Sequence, residues 1–181
     1  MVAVLLLASA ALAVETADVP ADLRAGLILK ILAYDRNLPK RAGANVTVAV
    51  LVRPGNLSDA SCARLQQALQ DASLKSTVGG RTVRALRVDY QGTSQLSGAL
   101  DNVAALYVCP GLSEQVGVIS EMSRRQHVLT LSGSEALVRA GLAVGVVARE
   151  GRPRVIINLK QARAEGADLD AALLRFSEVI P

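Results

Sequence analysis

The sequence predicts an α/β fold, a single three-layer Rossmann-like sandwich with a mostly parallel sheet and an antiparallel C-terminal hairpin. Three observations carry this. Helical patterns and short apolar runs alternate along the chain at the spacing of right-handed crossovers. The chain is 51% hydrophobic but only 2% aromatic, with no Trp, so its core is built from Ala, Val, Leu and Ile. Such a core suits parallel strands covered on both faces by helices. Finally, the apolar runs Leu142–Ala148 and Arg154–Leu159 are separated only by Arg149-Glu150-Gly151-Arg152-Pro153, a turn short enough for a hairpin. A chain of 181 residues fits one domain with a sizeable core.

Residues 2–13 form an uncharged apolar run ending in Ala11-Leu12-Ala13. This reads as the h-region and Ala-x-Ala cleavage site of a signal peptide, and it is too short to span a bilayer. The segment ahead of the run holds no Lys or Arg, and a buried first helix or strand is the competing reading. The expected organisation is a signal peptide over 1–13, a short linker over 14–19 and one folded domain over 20–181. The expected location is the periplasm, with no membrane span.

Pro20 and Asp22 open a helix in which Leu23, Leu27, Ile28, Ile31 and Leu32 recur at helical spacing. Val46–Val52 is a buried strand, and Arg53-Pro54-Gly55-Asn56 turns the chain. Ser58 is placed as the cap of a helix to about Ser73, with Cys62, Leu65, Ala68, Leu69 and Ala72 inward. Gly79-Gly80 marks a turn, and Val83–Tyr90 alternates as an outer strand with one wet face. A short helix over Ser94–Leu100 precedes the strand Ala104–Cys109. Ser113 then caps a helix to about Arg125, with Val116, Ile119 and Met122 inward. The strand Val128–Ser132, a short helical segment over 134–141, the two apolar runs and a final amphipathic helix complete the chain.

The chemistry that these residues permit is narrow. A net charge of +4 is spread over scattered Lys and Arg, and without stacking aromatics the chain is not expected to bind nucleic acid. Gly141 and Gly145 lie in an apolar run without a phosphate-loop pattern. His127 is the single histidine and reads as a surface residue. Cys62 and Cys109 lack metal-site spacing. Two buried free thiols are favoured for them over a disulfide, which stays open because sequence does not give the Cα separation. No cofactor and no metal site are expected. Neither a nucleophile elbow nor an acid–base pair appears, so no catalytic residue is assigned and the protein is not expected to be an enzyme.

One place invites a ligand. Ser132, Gly133 and Ser134 end a parallel strand and begin a helix, where α/β sheets offer free N–H groups to anions and small polar ligands. The loops Arg53–Ser58 and Pro110–Ser113 share that rim. The plainer reading makes Ser58, Ser113 and Ser134 simple helix caps.

Residues 128–180 carry a series rather than a motif: Val128-Leu129-Thr130-Leu131-Ser132, Ala140-Gly141, Ile157-Asn158-Leu159, Ala162, Gly166-Ala167-Asp168-Leu169, Leu173-Leu174 and Val179-Ile180. The series resembles the YfiR-like family of small periplasmic proteins. Two departures mark a divergent branch. The family's aromatic and Trp-Pro ending of the first helix reads here Tyr34-Asp35-Arg36-Asn37-Leu38-Pro39, and its consecutive glycines are reduced to Ala140-Gly141. The resemblance implies regulation: periplasmic repressors that bind the periplasmic domain of a membrane sensor or diguanylate cyclase, work as homodimers, and act in cyclic-di-GMP signalling. The alternative is a periplasmic small-solute-binding module serving a transporter or sensor.

Overall fold

A computed structural model describes residues 18–180. The expected signal peptide and nearly all of the expected linker lie outside the described residues. Within the linker's last two positions, Val19 is buried in the core and Asp18 pairs with a side chain of the first helix.

That helix, α1 (Ala21–Ala33), follows Pro20, whose fixed φ is tolerated where no intrahelical N–H is needed. It buries Arg24, Ala25, Ile28, Leu29, Ile31 and Leu32. Leu23, expected inward, is exposed: at 3.6 residues per turn it lies about 140° around the helix from Ile28. After the short α2 (Leu38–Arg41) comes β1 (Val46–Val52), buried almost throughout because strands flank it on both sides. The helix α3 (Asp59–Ser73) buries Cys62, Leu65, Ala68 and Leu69. The strands β2 (Thr77–Val78) and β3 (Arg81–Asp89) form a hairpin. Its two-residue loop, Gly79-Gly80, takes positive φ at both positions, as a turn matched to strand twist requires.

Then follow α4 (Thr93–Ala99), β4 (Ala105–Val108), a 3-10 turn over Ser113–Gln115 and α5 (Val116–Gln126). The chain continues through β5 (Leu129–Ser132), α6 (Glu135–Arg139), β6 (Val144–Arg149) and β7 (Arg152–Asn158). It closes with α7 (Leu159–Ala164), α8 (Ala171–Arg175) and β8 (Glu178–Ile180).

The eight strands form one sheet in the order β2-β3-β1-β4-β5-β6-β7-β8. From β3 to β6 neighbouring strands are parallel, and β6 and β7 are antiparallel, with Val144 opposite Ile157 and Arg149 opposite Arg152. The expected α/β class, mostly parallel sheet and antiparallel hairpin are therefore present. One core, with α1, α3 and the C-terminal helices, covers one sheet face; a second, with α4 and α5, covers the other.

The single final helix expected from the sequence is instead two short helices and a strand. Asn158 caps α7 through its side chain, which accepts from the Gln161 N–H at 3.0 Å. Gly166, at φ +83°, then takes a left-handed conformation that ends the helix. Asp170 caps α8 by accepting from the Ala172 N–H at 2.7 Å. The apolar Val179-Ile180 pairs parallel to β7, where Arg149 reaches across to Glu178 at 2.5 Å.

Candidate functional site

Strand order sets where a crevice forms. From β1 the chain moves to β3 on one side and then crosses to β4 on the other. The loops beyond the carboxyl ends of β1 and β4 therefore part, opening a cleft at the point where strand order reverses. The loop after β5, Ser132–Ser134, borders the same cleft.

Its rim is stapled. Cys62, in the first turns of α3, and Cys109, just past β4, form a disulfide with Cα atoms 6.3 Å apart and 47 residues apart in sequence. The sequence reading favoured two free thiols; only the tertiary crossover, which brings α3 over the end of β4, creates the proximity. Beside the disulfide, the Ser58 hydroxyl donates to the Pro110 carbonyl at 2.9 Å. Gly111, at φ +94°, lies so close to Asn56 that an added Cβ would collide with its amide.

Inside the rim, Asp18, Arg24, Ser61, Cys62, Tyr107, Pro110 and Gly133 line a crevice of about 290 Å³. Larger hollows lie elsewhere, one of about 520 Å³ between α4 and α5, but exposed side chains line most of it. Arg24 is 5% exposed. Its Nη1 donates to Asp18 Oδ2 at 3.2 Å and its Nη2 to Asp18 Oδ1, while its Nε is buried without an acceptor among the described residues. Tyr107 rises from the middle of β4. A Cβ on Gly133 would fall 2.6 Å from the Tyr107 hydroxyl and 3.1 Å from the Arg24 guanidinium carbon, so only glycine leaves this floor open. Burial pushes the Tyr107 phenol up to about 12, against the opposing pull of the Arg24 charge and the Gly133 backbone. It therefore stays a neutral hydroxyl at physiological pH.

Of the residues named from sequence, Gly133 joins this crevice. Ser132 is fully buried, its hydroxyl donating to the Val108 carbonyl at 2.9 Å and accepting from the Ser134 N–H at 3.2 Å. It knits β5 to β4. Ser58, Ser113 and Ser134 stand near helix starts, yet none makes a side-chain cap hydrogen bond. The capping reading is corrected: Ser58 has spent its hydroxyl across the rim, and a 3-10 turn intervenes between Ser113 and α5. Arg24 and Tyr107 were missed. Their signal was present as a charge in register with the apolar stripe Ala25, Ile28 and Ile31, and as the lone aromatic of a buried aliphatic strand.

A second polar cluster lies at the opposite, amino end of the parallel strands. Glu165 is fully buried and accepts from the Thr130 N–H at 2.8 Å, the Thr130 hydroxyl at 2.7 Å and the Gln161 amide at 2.8 Å. The Thr130 hydroxyl accepts in turn from the Ala143 N–H at 2.8 Å. Burial raises the Glu165 carboxyl to about 7 despite these donors. Nearby, Arg41 pairs with buried Asp35 and donates to the carbonyls of Ala104 at 2.8 Å and His127 at 3.0 Å. Asp35 also accepts from the Asp168 N–H at 2.9 Å.

Chemically, the crevice offers a guanidinium fork, a neutral phenol and exposed backbone, which are groups that bind a carboxylate or another small anion. Among the described residues no group of three His, Cys, Asp or Glu is placed to hold a metal, and no helix is long and apolar enough to cross a membrane.

Several solved structures share the fold. The ABC domain in complex with L-Trp from Streptococcus pneumonia superposes with a TM-score of 0.64 at 16% identity, over 89% of this chain and 60% of that one. A conserved domain protein from Vibrio cholerae O1 biovar El Tor gives 0.62 at 12% identity, over 88% and 60%. The ligand-free, open structure of a substrate binding protein with adhesive properties from Clostridium difficile gives 0.54 at 11%, over 80% and 57%. The chain thus spans less than two thirds of each of these structures. No curated protein matches it by sequence. The YfiR/HmsC-like family model matches residues 21–178, nearly the whole described domain. The chain belongs to the YfiR/HmsC-like family.

Proposed function

We propose that the protein is an exported, non-enzymatic regulator that binds the periplasmic part of a membrane sensor, the output of that sensor being a diguanylate cyclase. The single observation that carries this reading is family membership over residues 21–178, which supports a periplasmic regulatory role. The contact surface proposed for the partner is the face around Phe176, which is 88% exposed. Beside it Leu27, Tyr34, Val155 and Leu173 line a hollow of about 240 Å³, flanked by Lys30 and Arg154. An apolar floor with a basic rim suits an acidic, aromatic-bearing protein surface.

Photo-crosslinking of the tagged mature protein on its own membranes tests the reading: it should recover a sensor or cyclase, and deletion of the protein should change cellular cyclic-di-GMP. Recovery of no membrane protein above background, with cyclic-di-GMP unchanged, would reject it. Phe176→Ser should reduce recovery at least tenfold without moving the melting temperature. Self-association as a homodimer, also proposed, is read by sedimentation.

A second reading, a small-solute-binding module, is favoured by one observation: the Arg24 crevice lies where strand order reverses, the place at which open α/β sheets bind ligands.

A further inference from the structure

Asp35 and Glu165, the buried carboxylates of the amino-end cluster, are held by groups of the folded elements themselves. Arg24 differs. Its side chain is 6% exposed, yet among the described residues its carboxylate partner is Asp18, which is 63% exposed and precedes the first helix. Its guanidinium Nε is buried without an acceptor among the described residues, as is that of Arg41, so the difference lies in the partner and not in the orphaned nitrogen. A buried arginine ordinarily needs its fork satisfied from within the fold. Here a tethered carboxylate does so at the mouth of a crevice that also presents the Tyr107 hydroxyl, Ser61 and the open backbone at Gly133.

We infer that the Arg24 crevice is a binding site for a small free monocarboxylate, and that Asp18 occupies it in cis when that ligand is absent. The incoming carboxylate takes the place of the Asp18 carboxylate on Nη1 and Nη2, so the buried charge stays paired throughout. The rest of the ligand lies against Tyr107, Cys62 and Pro110. At about 290 Å³ the crevice matches the lower end of ligand cavities, roughly 300 Å³ upward, which limits the ligand to a small acid. Release of Asp18 also frees the Val19 N–H, from which its carboxylate accepts at 2.9 Å, so occupancy of the crevice is reported just ahead of α1. The disulfide and the Ser58 bond to Pro110 hold the crevice walls fixed while this exchange occurs. None of this depends on which protein partner the molecule has.

A tethered competitor at an effective concentration near the millimolar range weakens apparent affinity, so removing it must tighten binding. The experiment titrates sodium propionate into the full chain, its Asp18→Ala variant and an Asp22→Ala control of equal charge, with sodium chloride at matched ionic strength. Asp18→Ala should melt below the wild type and bind propionate at least tenfold more tightly. At about tenfold over Kd its melting temperature should recover by roughly 3 °C or more. Asp22→Ala should respond as the wild type does. No propionate effect on Asp18→Ala, an equal effect on all three proteins, or an equal effect of phosphate overturns the inference; the last marks an adventitious ion only. Arg24→Lys, which keeps the charge and loses the fork, supplies the second variant. Ligand-observed NMR should show its propionate binding lost, and binding equal to that of the wild type overturns the inference.

Discussion

The two ends of the parallel sheet solve the burial of charge in opposite ways. At the amino end, Glu165 meets three donors from Thr130 and Gln161, and Arg41 meets Asp35 and two backbone carbonyls. Every partner there belongs to an ordered element or its flank, and the cluster pins the C-terminal segment to β5 and to the end of α1. At the carboxyl end, Arg24 depends on one half-free carboxylate, and the walls around it are tied by a disulfide rather than filled by side chains. Both guanidinium groups leave a buried Nε without an acceptor among the described residues. What separates the two ends is that Arg41 is paired by the fold's own groups, whereas the carboxylate on Arg24 is exposed and precedes the first helix, where the inferred exchange takes place.

Breaking the disulfide should have the largest effect on this contrast. Its loop of 47 residues restricts the unfolded chain by an amount worth on the order of 4 kcal/mol. A Cys62→Ala/Cys109→Ala double variant should lose about that much in urea denaturation, and its crevice loops should become the most protease-sensitive part of the domain. A variant as stable as the wild type would mean that the rim is held by packing alone.

The amino end is sharpened by pH. Glu165 has a folded pKa raised from 4.5 to about 7, so the folded state holds its proton more tightly than the unfolded chain. The stability contributed by the neutral carboxyl is therefore complete below about pH 4.5 and is lost as pH rises through 7. The difference between pH 4.5 and pH 8 from this group is on the order of 3 kcal/mol. Urea melts across that range should show the decline, and Glu165→Gln should flatten most of it. An unchanged slope in Glu165→Gln would place the titrating group elsewhere.

Caps give the smallest test. Asn158, at the amino end, caps α7 through its side chain, and Asn158→Ala should cost about 1 kcal/mol. Ser134, at the carboxyl end, makes no such bond, so Ser134→Ala should stay within about 0.5 kcal/mol. Equal losses in the two variants would restore the capping role expected for Ser134 from the sequence.

The fold was legible because its signals are local. Val46–Val52 reads as a buried run, Gly79-Gly80 as a turn, and the short link between the last apolar runs as an antiparallel pair. The C-terminal helix was misjudged because a left-handed glycine and a parallel pairing partner outweighed helical spacing; Gly166 and the register of Val179 with Ile157 are tertiary facts. The residues that carried the family resemblance prove structural: Thr130 holds Glu165, Asn158 caps a helix and Gly166 turns the chain. The crevice was only partly legible. Gly133 was found from its place after a strand, while Arg24, Tyr107 and the Cys62–Cys109 pairing depend on which segments the crossovers bring together.

Hydrogen exchange across the full chain, with propionate against matched chloride, compares the two ends in one measurement. Exchange should slow at 107–111 and 132–134, around the crevice, quicken at Val19, whose N–H loses the Asp18 carboxylate, and stay unchanged at 128–131 and 161–168, around Glu165. Protection confined to the Glu165 end, or absent from both ends, would contradict the division between an exchanging carboxyl end and a locked amino end.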